Sequence, residues 1–89
     1  MKVSLLVPTL GEREAEINRL FQSLENQEYK NFEVIVVSQA NHDKVRRIID
    51  KYKSLEIIHI CLNKKGLSYA RNRGLERCTG DIVVLSDDD

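Results

Sequence analysis

Hydrophobic residues along the chain fall into two alternating periods. Val3-Ser4-Leu5-Leu6-Val7 is an apolar run closed by Pro8-Thr9-Leu10-Gly11, the pattern of a buried strand entering a turn. From Glu12 to about Gln27 the period changes: Ile17, Leu20, Phe21 and Leu24 recur on one helical face, with Glu12, Glu14 and Glu16 near the positive end of the dipole. Phe32 to Val37 predicts a second, β-branched strand. Val45, Ile48, Ile49 and Tyr52 predict a second helix, which Asn41 or Asp43 could cap. Leu55 to Ile60 reads as a third strand, made more polar by Glu56 and His59. Leu67, Ala70, Gly74, Leu75 and Cys78 mark a third helix ending near Thr79-Gly80, and Ile82 to Leu85 is a fourth strand.

The order β-α-β-α-β-α-β with continuous apolar strands predicts an α/β fold: a mainly parallel four-stranded sheet, Rossmann-like, in an α/β/α sandwich. Crossover rules favour strand order 3-2-1-4. In that order the chain reverses direction across the sheet between the first and fourth strands. Ligands of open α/β sheets bind outside the carboxyl ends at such a point. Pro8 and Thr9 on one side and Asp87, Asp88 and Asp89 on the other are thereby expected to line one crevice.

Composition narrows the function classes. The 89 residues make one small domain, with 42% hydrophobic and 31% charged residues, and no stretch approaches the roughly 20 apolar residues of a membrane span. Fourteen basic and fourteen acidic side chains cancel, so no global field attracts a nucleic acid polymer. Cys61 and Cys78 lack the spacing of a zinc site and fit two reduced thiols, which suggests a cytoplasmic setting.

The Asp87-Asp88-Asp89 run is the strongest chemical signal. Oxygen-only ligands suit a hard divalent cation such as magnesium or manganese, which in turn clamps phosphate oxygens. A bare terminal acidic run is ordinarily a solvated tail. The strand before it and the topology place it at the ligand end of the sheet instead. Alternate side chains of an extended segment face opposite ways, so Asp87 and Asp89 are the expected metal pair, with Asp88 between them facing the other way.

Four stretches together carry a family resemblance. They are Val3 to Thr9; Leu24-Glu25-Asn26-Gln27 with Phe32 to Val37; Asn63-Lys64-Lys65-Gly66-Leu67-Ser68-Tyr69-Ala70-Arg71-Asn72-Arg73-Gly74-Leu75; and Thr79 to Leu85 before the acidic triplet. In order and spacing they resemble the N-terminal half of a family 2 glycosyltransferase of the GT-A fold. The resemblance implies that residues 1–89 are a donor-binding domain, with the acidic run as its DxD motif. It also implies metal-dependent transfer of a sugar, with inversion, from a nucleotide-diphosphate donor, a UDP-sugar by preference, to a saccharide or other hydroxyl acceptor. Cell-surface polysaccharide synthesis at the inner face of a membrane is the implied setting. Pro8, Thr9, Ser38, Arg71, Asp87 and Asp88 are the implied nucleotide-sugar contacts, and the general base and acceptor site are expected downstream. The isolated chain is accordingly expected not to turn over, and its apolar fourth strand is expected to promote self-association.

One position departs from the family pattern. After the second strand such enzymes usually present a carboxylate to the nucleobase, and this chain has Val37-Ser38-Gln39-Ala40-Asn41. A serine hydroxyl can also bond a base edge, without the charge or reach of a carboxylate. That departure keeps a non-catalytic nucleotide-binding module as the alternative. His42 and His59 are expected to be surface or strand-edge residues. A nucleotidyltransferase is disfavoured by the poor loop match at Pro8 to Arg13, and a dinucleotide dehydrogenase by the absence of GxGxxG.

Overall fold

The computed structural model describes residues 1–86, so the expected contacts of Asp87, Asp88 and Asp89 lie outside the described residues. The elements are β1 (Val3–Thr9), α1 (Glu14–Glu25), β2 (Phe32–Ser38), α2 (His42–Ile49), β3 (Ile57–Cys61), α3 (Leu67–Leu75) and β4 (Ile82–Leu85). All strand pairs are parallel and the order is β3-β2-β1-β4, as the apolar pattern predicted.

Side-chain alternation along β1 and β2 builds two cores. On one face Val7, Val34 and Val36 pack against Ile17 and Phe21 of α1 and against Val45, Ile48, Ile49 and Tyr52. Phe21 and Tyr52 meet edge to face, with centroids 5.3 Å apart. On the other face Leu6, Ile35 and Val37 pack against Ala70 of α3. Gly74 lies in that contact: a Cβ there would stand 2.2 Å from Leu6 Cδ1 and 3.0 Å from Val37 Cγ2. The absent side chain lets α3 approach the sheet closely.

Boundaries differ from the sequence expectation in instructive ways. β1 does not stop before Pro8 but continues through Thr9, which pairs with Ser38. The Leu6 carbonyl faces β4, where it accepts the Ser86 N–H at 2.9 Å, and the Thr9 carbonyl faces β2, where it accepts the Gln39 N–H at 3.0 Å. The Pro8 nitrogen therefore faces the β4 side, beyond the last register pair Leu6–Leu85, and its missing proton removes no rung. Helix α2 begins after Asn41, a left-handed residue (φ 52°) whose side chain makes no cap bond. Its amide instead donates to the Leu10 carbonyl at 2.7 Å, tying the α2 entry to the β1 turn.

A buried carboxylate locks the amino end of the sheet. Glu33 of β2 is 1% exposed. It accepts bonds from Ser4 Oγ (2.6 Å), the Thr79 amide (2.8 Å) and Thr79 Oγ1 (3.0 Å), with Lys2 Nζ at 3.4 Å. Burial pushes this carboxyl up, but the Ser4 and Thr79 bonds and the Lys2 charge outweigh it and hold the pKa at about 2. Gly80 N–H donates to Ser4 Oγ at 2.8 Å, and Asp81 exchanges backbone and side-chain bonds with Lys2. A Cβ at Gly80 would meet Ser4 N at 2.7 Å, so only glycine permits this approach. The α3–β4 connection is thereby fastened to β1 and β2. By contrast β4 has one strand neighbour, and Ile82, Val83, Val84 and Leu85 are all exposed.

Candidate functional site

The carboxyl ends of β1, β2 and β4 come together where β1 has α1 packed over one face of the sheet and α3 over the other. Thr9, 4% exposed, accepts the Gly11 N–H on its hydroxyl at 2.9 Å. Gly11 has φ 72°, which turns the chain sharply away from the strand end. Pro8 is buried beside it, paired with Val37. Ser86 continues the ladder to Leu6, so the described part of β4 ends at the same end of the sheet as Pro8 and Thr9. Asp87, Asp88 and Asp89, expected at this switch point, lie outside the described residues. Three aspartates at such a strand end are a hard oxygen donor set suited to magnesium or manganese. Among the described residues no group of three His, Cys, Asp or Glu side chains is placed to hold a metal ion.

Helix α3, which carries several cationic side chains, enters from this end. The Gln39 side-chain amide donates to the carbonyls of Lys64 and Gly66, each at 2.9 Å, and so holds the loop that enters α3. Gly66 stands at the N-cap with φ 136°. Arg71 is half-buried in α3, and its Nε has no hydrogen-bond partner among the described residues. Arg73 has the same unpartnered Nε, but its Nη2 meets Glu76 at 2.7 Å. Lys64 Nζ lies 4.9 Å from the centre of the Tyr69 ring. A guanidinium with a buried, unspent N–H is suited to an oxygen-rich ligand.

Ser38, the expected base contact, is fully buried and its hydroxyl is already engaged. His42 Nδ1 lies 2.7 Å from Ser38 Oγ, His59 Nε2 lies 2.8 Å from it, and Cys61 Sγ lies at 3.8 Å. His42 and His59 are half-buried members of one cluster rather than separate surface residues. The missed signal was positional: His42 follows Ser38 by four residues through the β2–α2 corner, and β3 register sets Cys61 opposite Ser38 with His59 on the same face. Burial first, then Arg46 and His42, holds the His59 pKa below the usual imidazole value.

With this geometry in view, comparison with known proteins decides the family. The profile of glycosyl transferase family 2 matches residues 4–89. The chain belongs to that family. It is 33% identical, over all of its length and 29% of the relative's, to a glucosyl-dolichyl phosphate glucuronosyltransferase of Haloferax volcanii. Among solved structures, TarS of S. aureus in complex with UDP-GlcNAc matches with TM-score 0.88 and 33% identity over 100% of this chain and 27% of that one. A mannosyltransferase of Pyrobaculum calidifontis in complex with GDP-Man and Mn2+ matches with TM-score 0.85 and 29% identity, over 99% of this chain and 27% of its own. The family 2 chain therefore spans less than a third of these relatives, and the likeness confirms a GT-A type of sheet.

Proposed function

We propose that the carboxyl end of this sheet binds the nucleotide diphosphate of a sugar donor, and that the protein carrying it transfers the sugar to a saccharide or other hydroxyl acceptor. The observation that carries the reading is that Thr9 and the β4 exit at Ser86 share the switch-point end of the sheet, from which α3 enters carrying the unpartnered Arg71 Nε. Family membership and two structural neighbours holding GDP-Man and UDP-GlcNAc support it.

Within this reading the chain's residues divide the work. The Pro8–Thr9 turn offers backbone and hydroxyl groups to base and ribose. Arg71 donates to diphosphate or base oxygens, and Asp88 meets the ribose or sugar. Asp87 and Asp89 would hold a divalent cation, which when bound supplies charge neutralisation for the departing diphosphate. The hydroxyl-activating base and the acceptor contacts come from another part of the protein, so this chain binds donor without turnover. The exposed β4 edge is its association surface.

Calorimetric titration with UDP, GDP and CDP, each with and without manganese, tests this function. Saturable binding that requires the metal and is lost in Asp87→Ala or Asp89→Ala is expected. Absence of binding at millimolar nucleotide with manganese present would overturn it.

A further inference from the structure

The Ser38 cluster contains more hydrogen-bonding capacity than packing requires. Two imidazole nitrogens from different elements, His42 Nδ1 of α2 and His59 Nε2 of β3, share one buried hydroxyl at 2.7 and 2.8 Å. A hydroxyl carries one proton, so it donates to one ring and accepts from the other. Whichever ring it donates to must bear its own proton on its outer nitrogen. The two tautomers are therefore coupled through Ser38 Oγ.

We propose that His42, Ser38 and His59 form a relay that takes up a single proton shared by the two rings, and so makes the β2–α2 corner pH-sensitive. In the protonated state the charged ring donates its inner N–H to Ser38 Oγ and the hydroxyl donates to the inner nitrogen of the other ring, so every bond is kept. A second proton has no such arrangement. Both rings would then donate to the same oxygen, and the Ser38 proton could turn only to Cys61 Sγ, a weak acceptor at 3.8 Å.

The charged or titratable groups facing His59 are Arg46, Asp50 and His42 of α2, with Cys61 3.6 Å from its Nε2. On the same sheet face β2 presents Phe32, Val34 and Val36 and β1 presents Val3, Leu5 and Val7, none of them charged. Glu14 of α1 is paired with Lys44 of α2 at 3.9 Å. His42 is the first residue of its helix, at the ligand end of the sheet. Its outer Nε2–H becomes a charge-assisted donor when the proton is taken up. Resting on the donor-binding reading, this predicts that acceptor oxygens of the nucleotide bind more tightly as pH falls.

Long-range proton–nitrogen spectra of the two imidazoles, recorded on the chain between about pH 8.5 and pH 5, test the relay, because this range spans the ordinary histidine transition. One ring is expected to protonate while the other remains neutral with its inner nitrogen as acceptor. Ser38→Ala is expected to uncouple the two titrations, and Ser38→Thr, which keeps the hydroxyl, to preserve the coupling. Independent protonation of both rings in the unaltered chain, or an unchanged pattern in a folded Ser38→Ala, overturns the proposal.

A second arm separates this idea from the functional reading. UDP affinity is expected to rise about three- to fivefold from pH 8 to pH 6, the size of one added charge assistance, and to lose that dependence in His42→Gln. Uridine alone, run in parallel, tells a base oxygen from a phosphate oxygen as the acceptor. Binding that ignores pH sinks the nucleotide part of the proposal. Binding at no pH sinks the donor-site reading, while the imidazole spectra still judge the relay.

Discussion

The two ends of the sheet handle buried polar groups in opposite ways. At the amino end Glu33 is surrounded by donors from Ser4, Thr79 and Lys2, and the Ser4 hydroxyl is in turn bonded by Gly80. On α3, which enters from the carboxyl end, the Arg71 Nε has no partner among the described residues, and the Ser38 hydroxyl is shared between two imidazole rings. A polar network that consumes its own capacity fastens strands. One that leaves capacity over can meet a ligand. The same sheet therefore separates stability from binding along its length.

Removing the Glu33 carboxylate should produce the largest effect. Glu33→Ala leaves the buried Ser4 hydroxyl without its acceptor and unpairs two Thr79 donors and Lys2, and a loss of about 3–5 kcal/mol is expected in urea unfolding. That is a large fraction of the roughly 5–10 kcal/mol available to a domain of this size. A loss below about 1 kcal/mol would mean that the amino end is not the lock.

Acid should act on the same group. The Glu33 pKa lies at about 2 against an ordinary 4.5, so the folded state binds fewer protons than the unfolded state between those values. Its contribution is complete above about pH 4.5 and disappears as pH falls toward 2, a change on the order of 3 kcal/mol. Glu33→Gln should flatten this limb of the stability profile. An unchanged acid limb would assign acid sensitivity to other carboxylates.

Gly74→Ala sharpens the comparison between the ends and the middle. The added methyl would strike Leu6 and Val37, costing about 1–3 kcal/mol, partly offset by up to about 1 kcal/mol of helix propensity. Thermal unfolding should register a net loss. A gain would show that α3 can lift from the sheet without penalty.

Arg71→Ala should have the smallest effect on stability, within about 0.5 kcal/mol, because no bond of its Nε is lost. Nucleotide affinity should nevertheless fall by at least about tenfold if the guanidinium meets an anionic oxygen. Equal losses in both quantities would make Arg71 a structural residue.

Much of the fold was legible because its signals are local. Apolar runs and helical spacing announced all seven elements, and crossover rules applied to them anticipated the strand order. Gly74 could be read as a packing glycine because a glycine inside a helix needs a reason. The Glu33 lock was not legible, since it joins side chains 29 and 46 positions apart through strand register and the α3–β4 turn. Nor was the histidine pair, for the same reason. Ser38 looked like a weakened base contact because its neighbours in space come from α2 and β3. Pro8 misled at the strand end, where only knowledge of which side each carbonyl faces shows that its missing proton costs nothing.

Backbone amide shifts of the chain during titration with UDP or GDP, in the presence of magnesium, would test most directly whether the carboxyl end is the binding end. Shifts gathered at Thr9, Ser38, Gln39, Arg71 and Asp87 to Asp89, with Ser4, Glu33 and Thr79 undisturbed, are the predicted result. Shifts centred on the Glu33 network, or none at millimolar nucleotide, would contradict it.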